Sequence, residues 1–187
     1  MSERQYIIFA GVNGAGKTTF YQTYPGMMEM PRVNVDEIVR GFGKWNNQKD
    51  VVEAGVIAAR RIQEYFKKGL SFNQETTLCG KSILRNVSRA KKQGYQVILY
   101  YVGLNSAETA KERVAQRVLN GGHGIPDADI DRRYYESLQN LKKVLPECDR
   151  AEIFDNTEKF RQVAIFRKGK CVAVSESIPQ WCENLFD

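Results

Sequence analysis

Histidine is nearly missing from this sequence: His123 is the single example among 187 residues. A lone imidazole has no co-ligands, which excludes a zinc centre built on histidines. The four cysteines, Cys79, Cys148, Cys171 and Cys182, are widely spaced and form no C-x-x-C pair, so they read as free thiols in a reducing cytoplasm. No apolar run reaches the roughly 18 residues needed to cross a bilayer. The start, Met1-Ser2-Glu3-Arg4, runs straight into an apolar strand, with no leader-like segment expected. Internal repeats and low-complexity tracts are absent, which leaves one globular domain over 1–187 as the expectation. Basic stretches interleaved with aromatics are absent too. The net charge of +6 therefore does not describe a nucleic-acid track, and residues such as Arg85, Arg89 and Lys92 read as a solvated helix face. What the charge admits is an anionic ligand: a nucleotide, a sugar nucleotide, a nucleic acid or an acidic protein partner.

What is present is Gly11-Val12-Asn13-Gly14-Ala15-Gly16-Lys17-Thr18, which fits the phosphate-binding pattern G-x-x-x-x-G-K-[ST]. Tyr6 to Ala10 before it is short, apolar and β-rich, and Lys17 to Tyr24 after it can open a helix ending before Pro25-Gly26. Glycines let successive N–H groups face one concavity, and the helix N-terminus adds its positive dipole end. Gly11, Asn13, Gly14, Ala15, Gly16, Lys17, Thr18 and Thr19 are the expected cradle for the ATP phosphates. Lys17 is expected to reach the β- and γ-phosphates, and the Thr18 hydroxyl to ligate magnesium.

The pattern onward alternates strands and helices. Met30 to Glu37 reads as a second strand ending in acid, followed by a loop from Gly41 to Gln48. Asp50, with Glu53 as capping-box partner, is expected to open a helix to about residue 68 along Val51, Ala54, Ala58, Ile62 and Tyr65. Leu70 to Thr76 is the third strand. Ile83, Val87 and Ala90 mark a helix closed by Gly94, and Tyr95 to Val102 is the strongest strand, expected to be central. A helix from Ser106 to Leu119 turns Ala110, Val114 and Val118 inward, with Arg113 and Arg117 on its polar side. After Gly121 to Pro126, Asp129 or Asp131 caps a helix running to Leu145. Glu152 to Asn156 is a fifth strand, and a hairpin turning at Lys168-Gly169 occupies about 160–175. The expected fold is α/β, a P-loop kinase-like doubly wound, mainly parallel five-stranded sheet with a helical lid over about 113–133 and a C-terminal β-hairpin.

In such a sheet the ligand lies beyond the carboxyl ends of the strands, which gathers the phosphate loop, Asp36 and Glu75 at one edge. Phosphoryl transfer needs a hydroxyl held in line, a carboxylate to take its proton, and positive charge on the migrating group. Asp36 is the candidate base, the alternative being a strand-end acid that caps a turn or holds hydrated magnesium. Glu75 is a candidate for acceptor or outer-shell magnesium contact, the alternative being an N-cap. Arg113, Arg117, Arg132 and Arg133 flank the glycine-rich segment, and at least one is expected on the γ-phosphate. His123 is expected to face solvent or to touch phosphate from the lid. A GTPase would carry N-K-x-D, whereas Asn47-Gln48-Lys49-Asp50 has those letters out of order. An ABC-type or motor ATPase needs an apolar strand ending in Asp-Glu far from the loop, and the strand ending at Val102 carries no acid. A small-molecule kinase remains. The alternatives are a nucleotide-binding, toxin-like module acting through a protein partner, and a kinase for a nucleoside, small alcohol or RNA.

With the phosphate loop, Asn34-Val35-Asp36, Asn73-Gln74-Glu75-Thr76-Thr77, the Arg117 to Gly-Gly-His123 segment and Arg132-Arg133-Tyr134 in this order, the chain from about Tyr6 to Asn156 resembles the zeta-toxin family of P-loop kinases, particularly its short stand-alone bacterial branch. The resemblance implies ATP, magnesium and transfer to the 3′-hydroxyl of UDP-N-acetylglucosamine. It also implies Asp36 as base, Asn34, Glu75 and Thr77 at the acceptor, Lys17 and Thr18 at phosphate and metal, and Arg117 as first lid arginine. An acidic antitoxin covering the nucleotide site is the partner that the imperfect lid and the basic charge admit. Two departures accompany the resemblance. The register of the second lid arginine holds His123, with Arg132 or Arg133 left to substitute, and Arg133 joins the candidate set. Cys79 stands near the place of an arginine that follows the family's glutamate.

Overall fold

Period-two alternation along two apolar strands sets the architecture. In β1 (Gln5–Ala10), Tyr6, Ile8 and Ala10 enter one core cluster while Ile7 and Phe9 enter another. In β4 (Gln96–Gly103), Val97, Leu99 and Tyr101 join the first and Ile98, Tyr100 and Val102 the second. A strand apolar on both faces must be covered on both, as parallel sheets are. The computed structural model describes residues 4–23, 26 and 29–186. The expected stop of the first helix at Tyr24-Pro25 and the start Met1 to Glu3 lie outside the described residues.

The described elements continue as α1 (Lys17–Gln22), β2 (Arg32–Val33), α2 (Val35–Phe42), α3 (Gln48–Lys68), β3 (Phe72–Thr76), α4 (Lys81–Lys92), α5 (Ala107–Leu119), α6 (Asp127–Val144), β5 (Arg150–Asp155), β6 (Arg161–Arg167) and β7 (Lys170–Val174). They build one seven-stranded sheet of order β2-β3-β1-β4-β5-β6-β7. The first five strands pair in parallel, and β6 and β7 add on antiparallel. The α/β expectation holds, β4 is central, and the hairpin extends the sheet rather than standing apart from it. Lys168 and Gly169 make its tight turn, both in the left-handed region that such two-residue hairpins require. One face is covered by α2, α3 and α4, through residues such as Ile38, Ile62 and Val87, and the other by α1 and α5. The helix α6 serves both clusters, Ile130 and Tyr134 in one, Leu141 and Val144 in the other.

Several local expectations are corrected. The second strand is only Arg32–Val33, because the Asn34 side chain accepts the Asp36 N–H and starts α2, so Asp36 stands in a first helical turn. Asn47, not Asp50, caps α3, and Asp50 instead accepts from Lys44 N and Asn47 Nδ2. Phe66 rather than Tyr65 completes the buried stripe of α3. Pro126, not Asp129 or Asp131, precedes α6, whose first-turn acids are Asp127 and Asp129. Val118 is 44% exposed and does not face inward, since the stripe of α5 ends at Val114. Among the described residues, no helix is long and apolar enough to cross a membrane.

Candidate active site

The turn from β1 into α1 is possible only with glycine at its key positions. Gly11, Gly14 and Gly16 have φ of +144°, +81° and +93°. A Cβ on Gly11 would stand 2.1 Å from the Val102 carbonyl oxygen, and one on Gly16 2.7 Å from Asn156 Nδ2. The loop is thus wedged against β4 and the end of β5. Asn156 Nδ2 also donates to the Ala15 carbonyl at 2.9 Å, which fixes the concavity from below. A loop of this shape turns its amides toward a phosphate chain, and Thr18 and Thr19 are exposed at its rim.

The side chains at this edge are heavily charged and poorly solvated. Lys17 is buried, donates from Nζ to the Val12 carbonyl at 3.1 Å, and has its pKa lowered by desolvation against the pull of Glu75 and Asp36. Burial pushes the Asp36 carboxyl above its ordinary value, opposed by Lys17, Arg117, Arg40 and Arg133. Glu75 is the last residue but one of β3, with its side chain only 8% exposed. It accepts from Thr18 Oγ1 at 3.0 and 3.2 Å, from Arg32 Nη2 at 2.6 Å and from Asn34 Nδ2 at 3.1 Å. Glu75 therefore ties the phosphate loop to β2 and the start of α2, and it is not the cap of α4, which Gly80 precedes. Thr77 is half-buried just beyond, its carbonyl accepting from Cys79 Sγ at 3.5 Å.

The four candidate arginines part company. Arg133 Nη1 reaches Asn13 Oδ1 at 3.1 Å, on the phosphate loop itself. Arg117 donates from Nε and Nη2 to the His123 carbonyl at 3.1 and 2.8 Å. Arg113 holds the Thr157 carbonyl at 2.8 Å, and Arg132 lies on the surface between Asp129 and Glu136. His123 does not face solvent. Its ring stacks on Trp45, and Nε2 comes to 3.6 Å from Asp36 Oδ2. Burial with Arg117 and Arg40 nearby lowers its pKa to about 4, so it is neutral at pH 7.

Reading the sequence missed three of these residues. Asn156 lies just past the carboxyl end of β5, where the strand-end rule points, so that rule was a usable signal. Arg32 and Trp45 had none. Arg32 stacks 3.5 Å over the Tyr21 ring and bridges Glu37 and Glu75, which only the approach of β2 to β3 makes possible. Beside it, Arg32, Asn34, Glu37, Ile38, Phe42 and Arg61 are among the residues lining a cavity of about 300 Å³.

The zeta toxin family model matches residues 2–169 of this chain. The chain belongs to the zeta toxin family. A curated relative, an uncharacterized protein of Haemophilus influenzae, is 30% identical over 132 residues, 71% of this chain and 94% of its own length. Among solved structures, the AvrRxo1-ORF1:AvrRxo1-ORF2 complex with sulphate ions is similar at a TM-score of 0.75 and 16% identity. That likeness covers 94% of this zeta toxin family chain and 62% of the matched one. A structure of the same complex with ATP gives 0.62, 16% identity and coverage of 92% and 61%. The PezAT chromosomal toxin-antitoxin system of Streptococcus pneumoniae gives 0.64, 18% identity and coverage of 100% and 79%. At such identities these likenesses speak for the P-loop kinase-like fold alone.

Proposed function

We propose that this zeta toxin family chain is a kinase that transfers the γ-phosphoryl group of ATP to a hydroxyl of a small molecule, a sugar nucleotide such as UDP-N-acetylglucosamine. The observation that carries the proposal is the convergence of the phosphate loop, Asp36 and Glu75 on one sheet edge, with the loop's Thr18 bonded directly to Glu75. A phosphate cradle alone would serve any nucleotide-binding protein. A desolvated carboxylate beside it is what an acceptor hydroxyl needs, because burial makes Asp36 a stronger base than a free carboxylate.

In this reading Lys17 exchanges the Val12 carbonyl for phosphate oxygens, and Arg133 and Arg117 meet the charge on the migrating group. The hydroxyl oxygen bonds to the γ-phosphorus, the bond to the bridging oxygen of ADP breaks, and Asp36 takes the hydroxyl proton. Thr18 suits a magnesium ion, since its hydroxyl donates to Glu75 and so keeps its lone pairs for the metal. Magnesium would neutralise phosphate charge, and it needs few protein ligands when it rides on a nucleotide. Asn34, Glu75 and Thr77 border the acceptor side, and the segment of about 113–133 is the lid of what we read as one cytoplasmic domain.

The test is mass spectrometry after incubation with Mg-ATP and a panel of nucleotide sugars, nucleosides, small alcohols and an RNA oligonucleotide. One acceptor should gain a phosphoryl group, and Asp36→Asn should lower its rate by about 10²- to 10⁴-fold. No phosphorylated product, or equal rates in the two proteins, overturns the proposal. A second reading, a module that works through an acidic antitoxin covering the nucleotide site, draws on the net charge of +6 and on the complexes formed by the similar structures. Co-purification from the native host of a stoichiometric acidic protein that competes with ATP would favour it.

A further inference from the structure

The imidazole of His123 lies flat on the Trp45 indole, with ring centroids 3.9 Å apart and planes 10° from parallel. Trp45 sits in the turn between α2 and α3, half-buried and packed against the core, so this floor is held by the fold. The ring above it is held differently. It stands on a segment containing Gly121, Gly122 and Gly124, and Gly121 (φ +81°) has open space around its missing Cβ. His123 Nε2 is buried without a hydrogen-bond partner among the described residues, although it points toward Asp36 Oδ2 at 3.6 Å. A buried polar atom left unpaired is costly, and it marks a place shaped for another occupant.

We propose that His123 is a stand-in for the acceptor, and that the sugar ring carrying the reactive hydroxyl stacks on Trp45 in its place, edge toward Asp36. This rests on the reading of Asp36 as the base. The geometry selects a ring over a chain: the indole presents a flat, electron-rich face to the weakly positive C–H groups of a sugar, while ring hydroxyls fan outward in plane toward the carboxylate. It selects the sugar over the nucleobase, because the slot on Trp45 adjoins the carboxylate and a base there would bring it no alcohol. Donor and acceptor are also coupled. Both Nε and Nη2 of Arg117 are spent on the His123 carbonyl, so a guanidinium drawn to the ATP phosphates lets that carbonyl go. ATP therefore binds first and opens the acceptor slot.

The experiment uses the full chain with Trp181→Phe, which leaves Trp45 as its one tryptophan. Trp45→Ala should raise the KM of the ring acceptor about three- to tenfold with kcat within about twofold, and Trp45→Phe should recover most of the loss. If Trp45→Ala does not fold, Trp45→Leu keeps bulk without a flat ring. A nonhydrolysable ATP analogue should change Trp45 emission, and His123→Ala should abolish that change without raising the acceptor KM. Turnover that Asp36→Asn abolishes but Trp45→Ala leaves untouched overturns the stacking slot and spares the kinase reading. So does equal use of cyclic and acyclic alcohols. If no acceptor is phosphorylated, the kinase reading fails, and UDP-N-acetylglucosamine with the ATP analogue then reads the slot by emission alone. A saturable change given by UDP-N-acetylglucosamine but not by UDP supports it, and no change overturns it.

Discussion

At the scale of single residues, the site is governed by how few polar groups are left to water. Arg32 spends its guanidinium on Glu37, Glu75 and Asn73 while stacked on Tyr21, and Glu75 behind it is almost fully covered. Arg32→Ala should cost about 1.5–3 kcal/mol in urea denaturation, the worth of a hydrogen bond to a buried charge. Arg32→Lys should recover only part of that, since an ammonium cannot span the same partners. His123 supplies a pH signature. Its folded pKa, about 4, lies below that of a free histidine, so the folded chain resists protonation that the unfolded chain accepts. The stability this position contributes is present above the unfolded value of about 6.5 and is lost as pH falls toward the folded one. Wild type should therefore lose thermal stability relative to His123→Gln between about pH 6.5 and 4, while Trp45 emission of the folded chain changes only near pH 4, where the ring itself takes a proton. Neither arginine bridge nor stacked histidine was legible in the sequence. Both depend on partners supplied by another strand or loop.

At the scale of elements, the turn from β3 into α4 is the strained one. Leu78, fully buried, takes φ +64°, a left-handed conformation that suits glycine rather than leucine. Two partners hold it there: Thr76 Oγ1 accepts its N–H at 3.0 Å, and Asn140 Nδ2 of α6 donates to its carbonyl at 2.9 Å. Asn140→Ala strands that carbonyl in the core and should cost about 1–3 kcal/mol by chemical denaturation, although it lies outside the site. Because the same turn carries Thr77 and Cys79, acceptor KM should rise with it. Most helices were readable in advance, for their stripes are local: Ile83, Val87 and Ala90 are buried as expected. Their starts were less so. Asp50 and Asp129 both have the chemistry of a cap, but Asn47 and Pro126 come earlier and take the position first.

At the scale of the whole molecule, the phosphate loop is clamped between β4 and the end of β5, and through Glu75 it is tied to β2 and α2. Filling it should therefore stabilise the entire sheet. Mg-ATP at about 100 times its Kd should add about 2.7 kcal/mol, roughly 5–10 °C in Tm for a chain of this size. Lys17→Ala, which removes the buried cation at the centre of the loop, should flatten that shift in a thermal melt. The sequence by itself determined the alternation of strands and helices, the phosphate loop and the central place of β4, because each is written in neighbouring residues: a period of two, a stripe, a run of glycines. Only the tertiary structure decided which side chains meet. Arg32 and Glu75 are 43 residues apart and Asn13 and Arg133 are 120 apart, and each pair is joined by parallel crossovers whose order no local pattern encodes. The same holds for His123, which a local reading turns toward solvent and which the fold lays on Trp45 beside Asp36.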